Sequence, residues 1–214
     1  MRAAASLLAA ALALALATAA PAQQSTTLRG LETENEARAF AAVGRLDGPT
    51  GYCTATLVAP DLVLTAAHCL FDREGRPLLP DSLHFNAGLT AGAASARRGI
   101  SQIELDASFD PRAPMTAANV RHDLALLRLA EPIPTSVLDP FVLHKGALPA
   151  GPVSIVSYGR GRSDHLSRQK VCRLLGQQAA ILTFDCDVTF GSSGAPVFTH
   201  LNGRGRILSV ISGI

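Results

Sequence analysis

The chain has no tryptophan and only two tyrosines in 214 residues, and aromatic residues make up 5% of it. Too few flat side chains are present for a base-stacking surface. Charge of one sign is equally scarce. Nineteen basic against seventeen acidic side chains leave a net +2, with no polybasic stretch, so neither nucleic-acid nor membrane-surface binding is expected. There is no Cys-x-x-Cys pair and no histidine spacing of a metal ligand set, so no metal and no cofactor is expected. After residue 22 no stretch approaches the roughly 18 apolar residues that cross a bilayer.

The one long apolar stretch is at the start. Arg2 supplies a short positive beginning, Leu7 to Ala17 alternates Ala with Leu, and Ala20-Pro21-Ala22 offers the small residues a signal peptidase reads. Residues 1–22 are therefore read as a signal peptide, which gives a secreted or periplasmic protein with no membrane attachment after cleavage. Without them the apolar fraction falls from 48% to about 44%, an ordinary globular value. Export also makes the cysteines interpretable, because an even count in an oxidising compartment favours disulfides. Cys53 and Cys69 are 16 apart and Cys172 and Cys186 are 14 apart, which suggests two local bridges. Four cysteines admit three pairings, and spacing alone leaves them open.

Residues 23–39 are polar and without period, and read as an N-terminal arm or pro-segment. From Phe40 onward, short apolar runs are separated by Gly, Pro and Asp. The first half carries Ala41 to Leu46, Tyr52 to Val58, Leu62 to Leu64, Leu83 to Phe85, Ile100 to Leu105 and Leu124 to Leu129. The second carries Val153 to Ser157, Lys170 to Leu175, Ala180 to Thr183, Ala195 to Phe198 and Ile207 to Ile211. This spacing predicts an all-β fold. Leu124, Leu126, Leu127 and Leu129 suggest a strand buried on both faces. Pro132, Pro134 and Pro140 mark residues 131–140 as a linker between halves at 40–130 and 141–214.

Three segments carry chemistry. Thr65-Ala66-Ala67-His68-Cys69 sets a histidine after an apolar strand, His122-Asp123-Leu124 sets an acid before another, and Gly191-Ser192-Ser193-Gly194 sets a serine in a glycine-flanked turn. Serine is a weak nucleophile at neutral pH and needs a neutral imidazole to take its proton, while a buried carboxylate fixes the imidazole tautomer. The resulting oxyanion needs two backbone amides, for which Gly191 and Ser193 are the candidates. His68, Asp123 and Ser193 are thus candidate catalytic residues.

These three blocks resemble the signature blocks of the chymotrypsin/trypsin-like serine endopeptidases, and their order, His then Asp then Ser, is that family's order. The resemblance covers roughly residues 40–214 and implies two antiparallel β-barrels with the site in the cleft between them. The Cys53 to Cys69 spacing matches the family's bridge around the histidine. Ser192 stands where animal zymogens place an acid that pairs with a new N-terminus, which makes the chain more similar to bacterial trypsin-like and glutamyl-endopeptidase-like relatives. Asp187, six residues before Ser193, occupies the position of a buried carboxylate that receives substrate Arg or Lys. Ser212 matches a serine that lines the pocket and bonds the catalytic Asp. Ile211 stands where glutamyl endopeptidases use His, against Glu specificity, and Ile214 stands where a pocket-mouth Gly is usual. The chain stops short of the family's usual last strand, so the second barrel is expected to be incomplete. The expected protein is a monomeric secreted serine endopeptidase acting on protein or peptide substrates. The alternative is a protease-like binding module without turnover; an α/β-hydrolase esterase is excluded because Ala195 breaks Gly-x-Ser-x-Gly.

Overall fold

A computed structural model describes residues 24–200 and 203–213. The proposed signal peptide and Ile214 lie outside the described residues. Six strands form the first half: β2 (Val43–Gly48), β3 (Gly51–Ala59), β4 (Leu62–Thr65), β5 (His84–Ala87), β6 (Ala96–Leu105) and β7 (Ala125–Leu129). They close into an antiparallel barrel in the order β2-β3-β4-β7-β6-β5. Alternation turns one face of each strand inward. Val43, Ala55, Leu57, Val63, Phe85 and Leu127 are fully buried and fill the interior. On β7 the alternation is strict: Ala125, Leu127 and Leu129 point in, while Leu124 and Leu126 are exposed. The expectation of a strand buried on both faces is corrected here, because β7 lies in a barrel wall with one face toward solvent.

The second half contains β8 (Val153–Gly159), β9 (Arg162–Cys172), β12 (Pro196–Thr199) and β13 (Arg206–Val210), with the hairpin β10 (Leu174–Gln178) and β11 (Ile181–Phe184) forming a separate two-stranded sheet. The larger sheet has the order β1-β9-β8-β12-β13, where β1 is Arg29–Gly30. Among the described residues this half is an open sheet rather than a closed barrel. All seven residues of β8 are buried. Around it Val153, Ile155, Ala195 and Val197 make a small core with Phe184, Val188 and Ile211 packed against it.

Two sequence boundaries move. The long strand β9 was expected only from Lys170, because its first half carries Asp164, His165 and Arg168 and shows no apolar alternation. Residues 23–39 are also structured where described. Thr26 donates its amide to the Val171 carbonyl, Arg29 and Gly30 pair with Arg168 and Ser167, and a short helix α1 (Glu34–Arg38) follows behind a capping box at Thr33 and Glu36. The Pro-rich connection is pinned to the first barrel, with Ile133 and Leu138 buried and the Phe141 amide bonded to the Leu57 carbonyl. Phe141 then packs on Phe198 with ring centroids 4.5 Å apart and planes tilted by 45°, which ties the two halves together.

Candidate active site

His68 sits in a single 3-10 turn, Ala67–Leu70, that follows β4. Ala66 and Ala67 are fully buried, so the turn starts from the barrel core, and the Cys53–Cys69 disulfide ties it to β3. Both expected pairings form, the second being Cys172–Cys186. By the loop-entropy model each contributes about 3 kcal/mol. Asp123 follows the short helix α2 (Ala117–Val120) and is 1% exposed. It receives three bonds: the His68 amide donates to Oδ1 at 2.8 Å, His68 Nδ1 donates to Oδ2 at 2.7 Å, and Ser212 Oγ donates to Oδ2 at 2.5 Å. Burial alone would raise the Asp123 pKa. The bonds from His68 and Ser212, with the charge of the imidazolium when the ring is protonated, outweigh it and hold the carboxyl below its ordinary value. A carboxylate only accepts, so His68 carries its proton on Nδ1 and leaves Nε2 as the basic nitrogen.

Ser193 lies in the turn between Phe190 and β12, and it lines with His68, Tyr52, Phe190 and Gly191 one cleft of about 520 Å³. The turn's shape depends on its glycines. Gly191 and Gly194 have φ of +92° and +80°. A Cβ on Gly194 would come within 2.1 Å of the Thr54 carbonyl oxygen. The amides of Gly191 and Ser193 donate to no group among the described residues. Their peptide planes are nonetheless fixed from the carbonyl side: Phe190 O accepts from Arg160 N at 2.8 Å and Ser192 O accepts from Ala195 N at 2.9 Å. Because a trans peptide holds N–H opposite C=O, bonding each carbonyl aims the amide next to it.

The structure thus brings His68, Asp123 and Ser212 into bonding contact and places Ser193 and Gly191 on the cleft with His68. Asp187 differs from the sequence expectation. It is exposed, on the wall of a wide cavity of about 1000 Å³ shared with Asp123, Ile211 and Ser212, and its amide donates to Gln169 Oε1. It is therefore not a carboxylate sealed at a pocket base, since the residue is itself exposed to solvent. Two threonines to which the sequence assigned no role also build the site. Thr54 donates its amide to the Ser193 carbonyl and its hydroxyl to the Gly191 carbonyl, both at 2.8 Å, and Thr65 Oγ1 donates to the Thr54 carbonyl. Thr54 is a common strand residue, and although Thr65 opens the block that ends in His68 and Cys69, nothing in the local sequence of either marks the contact between them.

A two-part β fold with a serine turn and a carboxylate-held histidine at the junction defines the class of trypsin-like peptidases. The family profile described as "Trypsin-like peptidase domain" matches residues 53–206, and the chain belongs to that family. It is similar to a glutamyl endopeptidase of Bacillus licheniformis, 24% identical over 177 residues, which is 80% of this chain and 53% of that protein. The chain therefore spans about half the length of this relative. Among solved structures it is similar to protease Anisep from Arthrobacter nicotinovorans (TM-score 0.67, 18% identity, 87% of each chain). It also matches a Glu endopeptidase (0.66, 15%, 86% of this chain and 84% of that one) and a thermostable serine protease from an extremophilic microorganism (0.64, 21%, 81% and 85%). At these identities the structural likeness concerns the fold.

Proposed function

We propose that the protein is an exported serine endopeptidase in which Ser193 is the nucleophile, His68 the general base and acid, and Asp123 the group that fixes the imidazole. The observation that carries this reading is the pair of hydrogen bonds that His68 donates, through its amide and Nδ1, to one buried carboxylate. As Ser193 Oγ attacks a substrate carbonyl, its proton passes to His68 Nε2. The oxyanion is received by the amides of Gly191 and Ser193. His68 then gives the proton to the departing amine, which breaks the peptide bond and leaves an acyl-enzyme. Water repeats the sequence and releases the acid, with no cofactor taking part. The leader read from residues 1–22 and the two disulfides support action outside the cytoplasm.

For primary specificity we propose Arg or Lys, drawn by the Asp187 carboxylate on the cavity beside Ser212. The relative's name points to Glu instead, but at Ile211 this chain offers an aliphatic side chain whose backbone is spent on Gly194 and Ala195. Residues 23–214 should react with a fluorophosphonate at Ser193, and an S193A protein should not. A folded protein that stays unlabelled would end the enzyme reading. Digestion of a peptide library tests the pocket: cleavage after Glu would remove the role given to Asp187.

A further inference from the structure

We propose that Arg162 is a positioning residue, holding the Gly191–Ser193 backbone in its reactive shape through the side chain of Ser192. The inference rests on the reading of Ser193 as nucleophile and adds a residue that no triad argument calls for. Arg162 opens β9, and its guanidinium turns back over the end of β8. Nη1 donates to the Ser157 carbonyl at 2.8 Å, and Nη2 donates to Ser157 Oγ at 3.1 Å and to Ser192 Oγ at 3.2 Å. The group fills a built slot: a Cβ on Gly159 would lie 2.7 Å from Nη2 and 2.8 Å from Thr189 Cγ2.

Ser192 is fully buried between the two residues whose amides face the cleft. Its hydroxyl donates to the Tyr158 carbonyl at 3.1 Å and accepts from the Thr189 amide at 3.3 Å, as well as from Arg162. The residues at 191 and 194 are glycines, so side-chain sterics there impose little on the turn. Ser192 supplies the anchor toward the second sheet, and Thr54 supplies it toward the first barrel.

A neutral side chain could satisfy the Ser157 carbonyl. Instead the position holds a half-buried cation with no carboxylate within ion-pair distance among the described residues. Burial pulls this guanidinium below its ordinary pKa, and the charge of Asp187, which lies beyond ion-pair distance, opposes that pull without offsetting it. What Arg adds is a planar fork that spans two elements at once, the β8 end and the nucleophile turn. Freeing the Ser192 side chain would leave the 192–193 peptide held only by the bond from the Ala195 amide to the Ser192 carbonyl, and the Ser193 amide would be less firmly aimed at the oxyanion.

The test uses residues 23–214 with R162Q, R162K and S192A, a fluorogenic peptide amide, fluorophosphonate labelling and amide hydrogen exchange. R162Q and S192A should lower kcat on the order of 10–100-fold with KM within about twofold, since the loss falls on the transition state. R162K should recover only part, because one ammonium does not reproduce the fork. Exchange in R162Q should accelerate at residues 189–194 and not across β8 and β12. Unchanged kcat, or exchange that accelerates throughout the second sheet, would overturn the positioning role. If the wild-type protein is never labelled, the enzyme reading fails by itself, and the exchange pattern alone then decides whether Arg162 holds the turn.

Discussion

Thr54, on β3 of the first barrel, donates its hydroxyl to the carbonyl of Gly191 in the second half at 2.8 Å. The same oxygen accepts the Tyr158 amide at 3.0 Å, so one side chain joins the barrel wall, the nucleophile turn and β8. Position and chemistry are linked at this point. The barrel that carries His68 also holds the turn that carries Ser193, and the two cannot drift apart without breaking buried bonds. Replacing Thr54 with Val keeps the shape but leaves a buried N–H and a buried C=O without partners. T54V should lose about 2–4 kcal/mol of stability in denaturant unfolding, taking about 1–2 kcal/mol for each orphaned group. Turnover should fall with it, while an unchanged midpoint would mean that water satisfies both groups.

The Asp123 carboxylate offers a prediction with a pH signature. In D123N the side chain can no longer accept from both His68 groups and Ser212 as a charged acceptor, and it does not fix the Nδ1–H tautomer. We expect kcat to fall about 10⁴-fold with little change in KM. Stability supplies a second readout. Asp123 ionises more readily when folded than at its ordinary pKa of 3.8. Its contribution is therefore complete above 3.8 and disappears as pH falls through the lower folded pKa. Unfolding midpoints from about pH 6 to about pH 2 should show the advantage of the wild-type protein over D123N shrinking only in that acid window. A constant difference would place the stabilisation elsewhere.

How much of this site could be read from the sequence depends on range. His68, Asp123 and Ser193 lie in segments whose local pattern reflects their chemistry: an apolar strand running into a histidine, an acid at a strand entrance, a serine between glycines. The inward face of the first barrel is likewise a period-2 pattern, and five of its six strands fall close to their apolar runs, with β6 beginning four residues earlier than its run. What could not be read is long range. Thr54 and Ser193 are 139 positions apart, and the bond between them is backbone to backbone, so neither side chain records it. Arg162 looks like one more charge in a polar stretch, and the same charges concealed the first half of β9. Asp187 shows the opposite error. Its position in the sequence suggested a sealed pocket, but exposure depends on which strands surround it.

Gly194 permits a sharper mutational statement than any side chain in the turn. Its φ of +80° is strained for any other residue, and an added Cβ would lie 2.1 Å from the Thr54 carbonyl oxygen and 2.2 Å from Thr65 Oγ1. Neither neighbour can yield, because Thr65 Oγ1 is bonded to that same carbonyl. G194A should therefore lose about 3 kcal/mol or more, or fail to fold. Thermal unfolding within a degree or two of wild type would show that the turn has a second conformation that admits a side chain.

The N-terminal arm reaches the substrate side of the site through two chains of hydrogen bonds. Ser25 Oγ donates to Asp185 Oδ2 at 2.7 Å, and that carboxylate also receives the Arg173 amide and guanidinium. The Thr26 carbonyl accepts from Gln169 Nε2 at 2.7 Å, and the other end of that amide, Oε1, accepts the Asp187 amide at 2.7 Å. Fixing Gln169 from one side thus fixes Asp187 from the other. Beginning the chain at residue 32 removes the Ser25 and Thr26 bonds together with the β1 pairing. At about 1 kcal/mol for each of the two side-chain links, protection of the 185–187 amides should drop about 30-fold in hydrogen exchange. Labelling of Ser193 should persist, because the Thr54 and Arg162 contacts to its turn do not involve the arm. If protection at 185–187 is unchanged, the disulfide at Cys186 alone holds that segment, and the arm serves only to cover the edge of β9.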